Sequence, residues 1–376
     1  MKLLYAGLGL LALLSWGNNA LAQANQEVNE VVRAEVLQVL DEFEREIAGT
    51  DAVATVQSLR IELLSGSRTG DIVVFENEAV LLSEGDVFFL NYLTTINGDE
   101  FFLYKDYDRR WALAALASLF VILMLAFGGW QGMRALGSLA LSVGAILFVL
   151  VPALLAGYNA ALVSLVVAGI ILALVLFGTH GWRPHVTIAF VGTWSAVLVA
   201  CGLAAWWVSV LRLSGFGSEA SVYLNFATDG TLDFAGLLLG AIIIGILGVL
   251  DDVSITQASV VQELKHANAG LSVRELYTRA IRVGRDHVSS LVNTLALAYV
   301  GVALPLVLFL STSQAPVGEL INQEVVAAEL TRIIIGSVGL ILAVPLTTVI
   351  AAWWFGTRGV DPDADVPHAA CEHAHH

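Results

Sequence analysis

The chain has 376 residues, of which 57% are hydrophobic and only 14% charged, and its formal net charge is -15. A soluble globular chain carries roughly a quarter charged residues, so this deficit, concentrated in long apolar runs after Trp111, excludes an ordinary soluble protein and points to membrane spans. The acidic balance leaves no basic patch for nucleic acid, and two cysteines, Cys201 and Cys371, supply no disulfide framework.

Residues 1–22 read as a secretory signal. Lys2 gives the positive start, residues 3–16 the apolar core, and Ala20-Leu21-Ala22 the cleavage site before Gln23. An uncleaved anchor is the alternative, and both place the next segment outside the cytoplasm. Residues 23–105 read as an extracytoplasmic β-rich domain with strands at 31–40, 52–64, 71–76, 86–92 and 100–104. Residues 41–48 read as an acidic loop or short helical excursion. Turns are expected at 65–70 and at Asn97-Gly98. Five short strands predict a closed or partly closed barrel, OB-like or SH3-like, because closure hides the sheet edges.

Residues 106–356 read as seven spans, at about 111–128, 134–155, 159–178, 186–209, 234–256, 289–310 and 331–354, each long enough to cross the roughly 30 Å hydrocarbon layer. The fold class is therefore a small exported β-rich, barrel-like domain followed by a seven-helix polytopic bundle. Short connections make sequential spans antiparallel neighbours. With the β-domain outside, Arg134, Arg183, Lys265, Arg274, Arg279, Arg282, Arg285 and Arg358 fall on the cytoplasmic side, which is the positive-inside bias. Residues 260–266 and 271–283 show helical periodicity, and Ser272 with Glu275 has capping-box spacing. Pro305 lies in the sixth span, and Pro345 in the seventh, where the lost backbone hydrogen bond favours a kink. Residues 357–376 are expected to be a disordered cytoplasmic tail.

Chemistry concentrates where the fifth span ends. Asp251 and Asp252 are adjacent carboxylates, costly near lipid unless solvated, paired or facing a cavity. Asp252 and Thr256 share a helix face, and Ser254 and Gln257 form a neighbouring polar edge. Oxygen ligands of this kind suit H⁺, Na⁺ or a hard divalent cation; hydration at the cytoplasmic end is the competing reading. Arg282 or Arg285 offers a pairing partner. Arg285 and Asp286 precede the sixth span, and Asn293 and Thr294 lie inside it, either lining a pathway or hydrogen-bonding between helices. Glu329 and Arg332 stand at i,i+3 as an interfacial pair or an outer gate. His180 and His185 flank Trp182 and Arg183 as interface markers. The tail residues His368, Cys371, His373, His375 and His376 are weak metal-ligand candidates with poor geometric selection. The chain has no Walker loop, G-x-G-x-x-G, H-E-x-x-H or G-x-S-x-G, so no catalytic residue and no required cofactor is assigned.

The stretches 245–262 (GILGVLDDVSITQASVVQ) and 284–306 (GRDHVSSLVNTLALAYVGVALPL), with 329–345, resemble the YibE/F-like bacterial membrane proteins. The resemblance also covers the β-domain and the 104–110 junction, but not the histidine-bearing tail. It implies a multi-pass inner or plasma-membrane protein with an extracytoplasmic domain. It singles out Asp252, Gly284, Arg285, Asp286, Asn293, Thr294 and Pro305, and implies no substrate. The leading expectation is a secondary transporter or permease for a small solute or ion. The alternative is a non-enzymatic scaffold or sensor whose β-domain binds an envelope partner. The lipid bilayer is the expected surround, and glycine-rich helix faces permit packing within a chain or between chains.

Overall fold

A computed structural model describes residues 28–46, 53–94 and 100–358. The signal segment, the Asn97-Gly98 turn and the tail with His368, Cys371, His373, His375 and His376 lie outside the described residues. The chain forms two compact units that divide in sequence between Phe120 and Val121.

The first unit is one antiparallel sheet of β1 (Val28–Glu46), β2 (Val53–Leu63), β3 (Ile72–Asn77), β4 (Val87–Thr94) and β5 (Glu100–Tyr107), in the order β3-β2-β1-β4-β5. Alternation along each strand puts Val32, Ala34, Val36, Leu59, Ile61, Leu63, Phe88 and Leu90 on one buried face. The sheet is curled into a half-barrel rather than closed, because β3 and β5 form no ladder with each other. Arg68 in the β2–β3 turn instead ties Asp71 to Glu100 at the start of β5. Residues 41–46, within the stretch expected as a loop or short helical excursion, continue β1 and pair with β2 from Asp41↔Ser58 to Glu46↔Val53. Irregularities between Val36 and Gln38 and between Val39 and Asp41 shift the side-chain alternation. A bulge of this kind hides a strand from period-two reading.

Asp108 closes this unit. Its backbone N–H donates to the Val87 carbonyl at 2.9 Å, and its carboxylate accepts both Nε and Nη2 of Arg110 at 2.8 Å. Arg33 Nε lies 2.7 Å from the same carboxylate, off the hydrogen-bond direction, so that contact is electrostatic. The Arg110 hydrogen bond, aided by the Arg33 charge, holds the Asp108 carboxyl below the usual carboxylate range. Tyr92 and Arg68 hold Glu100 down in the same way. A carboxyl whose folded value is depressed contributes stability that is complete above its unfolded value and lost as pH falls through the folded one. Hydrogen-exchange protection of β1 and β4 in the full-length protein is therefore expected to fall below about pH 4. Asp108→Asn should lower protection at pH 7 and flatten that acid limb. An unchanged limb would mean the clasp carries none of it.

The second unit is helical. It comprises most of α1 (Arg110–Ala145), a π-helical turn (Ile146–Leu150), α2 (Val151–Leu155), α3 (Ala160–His180), α4 (Pro184–Val210), α5 (Glu219–Ala227), α6 (Phe234–Ala267), α7 (Val273–Val302), α8 (Leu304–Ser311), α9 (Val317–Asn322) and α10 (Glu324–Arg358). Asn159, Asp233 and Ser272 cap α3, α6 and α7 by accepting from the Leu162, Gly236 and Glu275 amides, and Ser272 with Glu275 completes the expected capping box.

Among the described residues five helical stretches are long and apolar enough to cross a membrane: 110–155, 160–180, 184–210, 234–267 and 324–358. The bent pair α7–α8 makes up to six, against the seven expected. Two local causes account for the difference. The first two expected spans form one helical stretch whose only non-helical residue in α1 is Gly129, at φ 52°. Gly132 packs against the Met124 carbonyl, which a straight helix would hold roughly 12 Å away along its axis. The chain therefore folds sharply at Gly129 without a loop. The sixth span begins earlier, at Val273, and turns through 66° at Ala303, where Pro305 removes a backbone donor and crowds the preceding turn. Pro345, by contrast, lies within continuous helix.

Close glycine contacts give the helix directions. Gly236 and Gly240 of α6 face Ala160 and Ser164, so α3 and α6 run parallel. Gly339 faces Ile246 and Thr347 bonds Ser254, so α6 and α10 are parallel too. Gly192 meets Thr347 and Ala200 meets Gly339, so α4 is antiparallel to α10. Val273, Gly284 and Leu295 meet Gly356, Val344 and Gly336, so α7 descends antiparallel along α10. The apolar core lies among α3, α4, α6 and α10, with Leu172, Leu176, Ile242, Ile243, Leu250 and Ile335 fully buried.

Candidate functional site

A cavity of about 460 Å³ opens between the second half of α1, α3 and α6. Most of its wall is apolar, with Leu172, Leu176, Leu247 and Ile255 prominent. Its polar groups are Ser138 and Ser142 from α1, Thr179 and His180 from α3, and Asp251 and Asp252 from α6. Ser138 and Ser142 share a face because they are four residues apart. The Ser142 hydroxyl donates to the Ser138 carbonyl at 2.8 Å, and Ser138 Oγ donates to the Leu174 carbonyl at 3.3 Å. Thr179 Oγ1 donates to Ser138 Oγ at 3.3 Å. Arg134 Nε bonds the Gly178 carbonyl at 2.9 Å and pins α1 to the end of α3.

Asp251 is half-buried and Asp252 exposed. The Asp251 carboxylate accepts the Asp252 amide at 2.9 Å. Among the described residues no basic side chain lies within ion-pair distance of either. Arg282 and Arg285, the expected partners, are exposed on α7 and do not reach them. The cavity thus presents two carboxylates and several hydroxyls on an apolar wall, a surface suited to a cation or a proton.

The other sequence candidates fall elsewhere. Ser254 and Gln257 face away from the cavity into a buried knot between α6, α7 and α10. Gln257 Nε2 donates to the Ala280 carbonyl at 3.1 Å and to Thr348 Oγ1 at 2.8 Å, and Thr347 Oγ1 donates to Ser254 Oγ at 3.2 Å. Gln257→Leu keeps the bulk and removes both donors, and should cost about 1–2 kcal/mol of stability, read as a lower unfolding midpoint in detergent. A midpoint unchanged from the parent would show that the knot does not bind the helices together.

Thr256 is exposed on the Asp252 side of α6. Arg285, Asp286, Asn293 and Thr294 are exposed on α7 and do not line the cavity. Glu329 and Arg332 form the expected i,i+3 ion pair at 2.8 Å, beside a separate cavity of about 290 Å³. Ser138, Ser142 and Thr179 were not singled out from the sequence, although serines spaced four apart in an apolar helix are a readable signal. No group of three or more His, Cys, Asp or Glu suited to a metal ion occurs among the described residues.

Residues 116–357 match the family model described as YibE/F-like protein. No curated protein and no solved structure matches the chain.

Proposed function

The chain belongs to the YibE/F-like family of bacterial multi-pass membrane proteins, and from that premise we propose that it is a secondary transporter or permease for a small solute or ion, with Asp251 and Asp252 as its cation- or proton-binding groups. One observation carries this reading: two carboxylates that form no ion pair among the described residues, with His180 on the same wall, line a cavity between membrane-length helices. Intramembrane carboxylates are expensive, and in a cavity they serve ion or proton traffic better than they serve packing. Thr256 and His180 extend the polar edge at the same end of the bundle.

In this reading the fold at Gly129 separates the first two crossings, and the α7–α8 pair is a single broken one, so the chain crosses seven times. Arg134, Arg183, Lys265, Arg274 and Arg358 gather at one end, which supports a cytoplasmic placement for that end and for the cavity mouth. The β-domain is then extracytoplasmic. Glu329 and Arg332, at the opposite end of α10, are the proposed outer gate.

Purified protein in liposomes, loaded with a pH-sensitive dye and challenged in turn with Na⁺, K⁺, Mg²⁺ and Ca²⁺ gradients, tests the proposal. Flux above that of empty liposomes supports it. Folded protein that moves neither protons nor any of these cations removes its basis. The sensor reading has one observation of its own: the Arg33–Asp108–Arg110 clasp joins the sheet to the first turn of α1. It predicts a partner captured by the β-domain and no flux.

A further inference from the structure

The outer face of α7 has the wrong chemistry for lipid. Its buried residues Leu276, Ala280, Gly284 and Leu295 turn toward the bundle. At about 100° per residue, Arg282, Asp286, Ser289 and Asn293 lie on the opposite side, and all four are exposed. Their depth follows from register. Gly284 meets Val344 and Leu295 meets Gly336, so 284–295 runs beside 336–344 of α10, a stretch without a charged residue. The face from Asp286 to Asn293 therefore sits at hydrocarbon depth, with Arg282 about one turn from Asp286 on the cytoplasmic side. Neither Arg282 nor Asp286 has an ion pair among the described residues, although the two are four residues apart on one helix. Lipid tails offer such groups nothing. The stretch 111–128, the apolar start of α1, carries a single hydroxyl, that of Ser118.

The spacing on this face is that of a seam. Arg282, Ser289 and Ala296 recur every seventh residue, and Asp286, Asn293 and Val300 interleave with them every seventh. Alternate steps of four and three are the signature of two helices packed along their length. Ser289 and Ala296 are small enough to let backbones approach. Across a two-fold axis along the membrane normal, Arg282 falls on the same side of the seam as the partner's Asp286. The arrangement repeats on the other side, giving two ion pairs. Asn293 lies on the centre line and meets the partner's Asn293, as a polar residue does at the core of a parallel helix dimer.

We propose that the α7 seam is the interface with a second copy of this chain, closed by reciprocal Arg282–Asp286 ion pairs and an Asn293–Asn293 contact. The seam belongs to α7, away from the α1–α3–α6 cavity, and the proposal stands or falls independently of transport.

Charge reversal tests it in bilayer nanodiscs or vesicles, with two differently tagged copies co-expressed. Arg282→Asp alone and Asp286→Arg alone should each reduce co-purification of tagged copies several-fold. Mixing the two single variants should restore it, because each then supplies the charge the other lacks, and no effect within one helix can do this. Asn293→Cys in a Cys201→Ala, Cys371→Ala background should form an oxidised dimer, whereas Ala280→Cys, on the bundle side, should not. Three results overturn the proposal: parent copies that do not co-purify, complementary variants that pair no better than either variant alone, or Asn293→Cys that cross-links within one chain to Cys371 when that residue is retained. The last would assign the seam to the C-terminal tail.

Discussion

Replacing both Asp251 and Asp252 by Asn is expected to reduce proton or cation flux in proteoliposomes by at least roughly tenfold to a hundredfold, because losing the less screened of the two interactions with a charged ligand is alone worth about 1.5–3 kcal/mol. The substitution is nearly isosteric and leaves the α6 backbone contacts in place. Asp251 is half-buried on the cavity wall and Asp252 exposed beside it, so the two are not equivalent. Asp251→Asn should cause the larger loss, since water screens a charge at the exposed position more effectively. Ser138→Ala and Ser142→Ala remove neutral ligands from the opposite wall and should reduce flux less than either carboxylate change. An unfolding midpoint equal to the parent's keeps the comparison about transport rather than folding. Parental flux in the folded double variant would take Asp251 and Asp252 off the pathway, and the transporter reading would lose its supporting observation.

The carboxylate pair was legible because charge is rare in an apolar helix and marks a place that must be solvated, paired or turned to a cavity. Its neighbours were not legible. Thr179 lies 41 residues from Ser138, and Asp251 more than a hundred from Ser142; the packing of α1 on α3 joins the first pair, and the parallel packing of α6 on α3 adds the carboxylate wall. The same packing sends Ser254 and Gln257 to the other side of α6, although sequence spacing makes them neighbours of Asp252. The capping box at Ser272 was readable because it is a local exchange of hydrogen bonds. The Gly129 fold was half-readable: glycine announced a break, but not one closed within the helix itself. Strand residues 41–46 were hidden by bulges and by acids that a ribbon paired on one edge leaves exposed. The α7 seam shows a further limit. Asn293 reads as a polar residue inside a span, and only the buried stripe through Gly284 settles that it points out of the bundle rather than toward Asp252.

Gly192→Leu is expected to abolish accumulation of folded protein, and Gly192→Ala to cost about 1–3 kcal/mol, the usual penalty for overpacking a filled interior. Gly192 lies at a close contact between α4 and α10. A Cβ built on it would stand 2.9 Å from Thr347 Cβ and 3.0 Å from Thr347 Cα, so the obstacle includes backbone that no rotamer change can move aside. Thr347 is fully buried and bonded to Ser254 of α6, which fixes it from the far side. Separating α4 from α10 by a methyl would therefore also strain the α6–α10 contact on which the Gln257 knot depends. Thr347→Gly alone removes that bond, empties a buried side-chain site and puts glycine inside a helix, and should cost about 2–3 kcal/mol. Combined with Gly192→Ala it removes the Oγ1 and Cβ contacts and leaves only the 3.0 Å approach to the Thr347 Cα, so the double variant should be more stable than the sum of the single effects predicts. A coupling of about 1 kcal/mol or more in a double-mutant cycle, from unfolding midpoints in mild detergent, is the expected result. Strict additivity would show that the two helices do not touch at this level, and the placement of α4 against α10 would then be wrong.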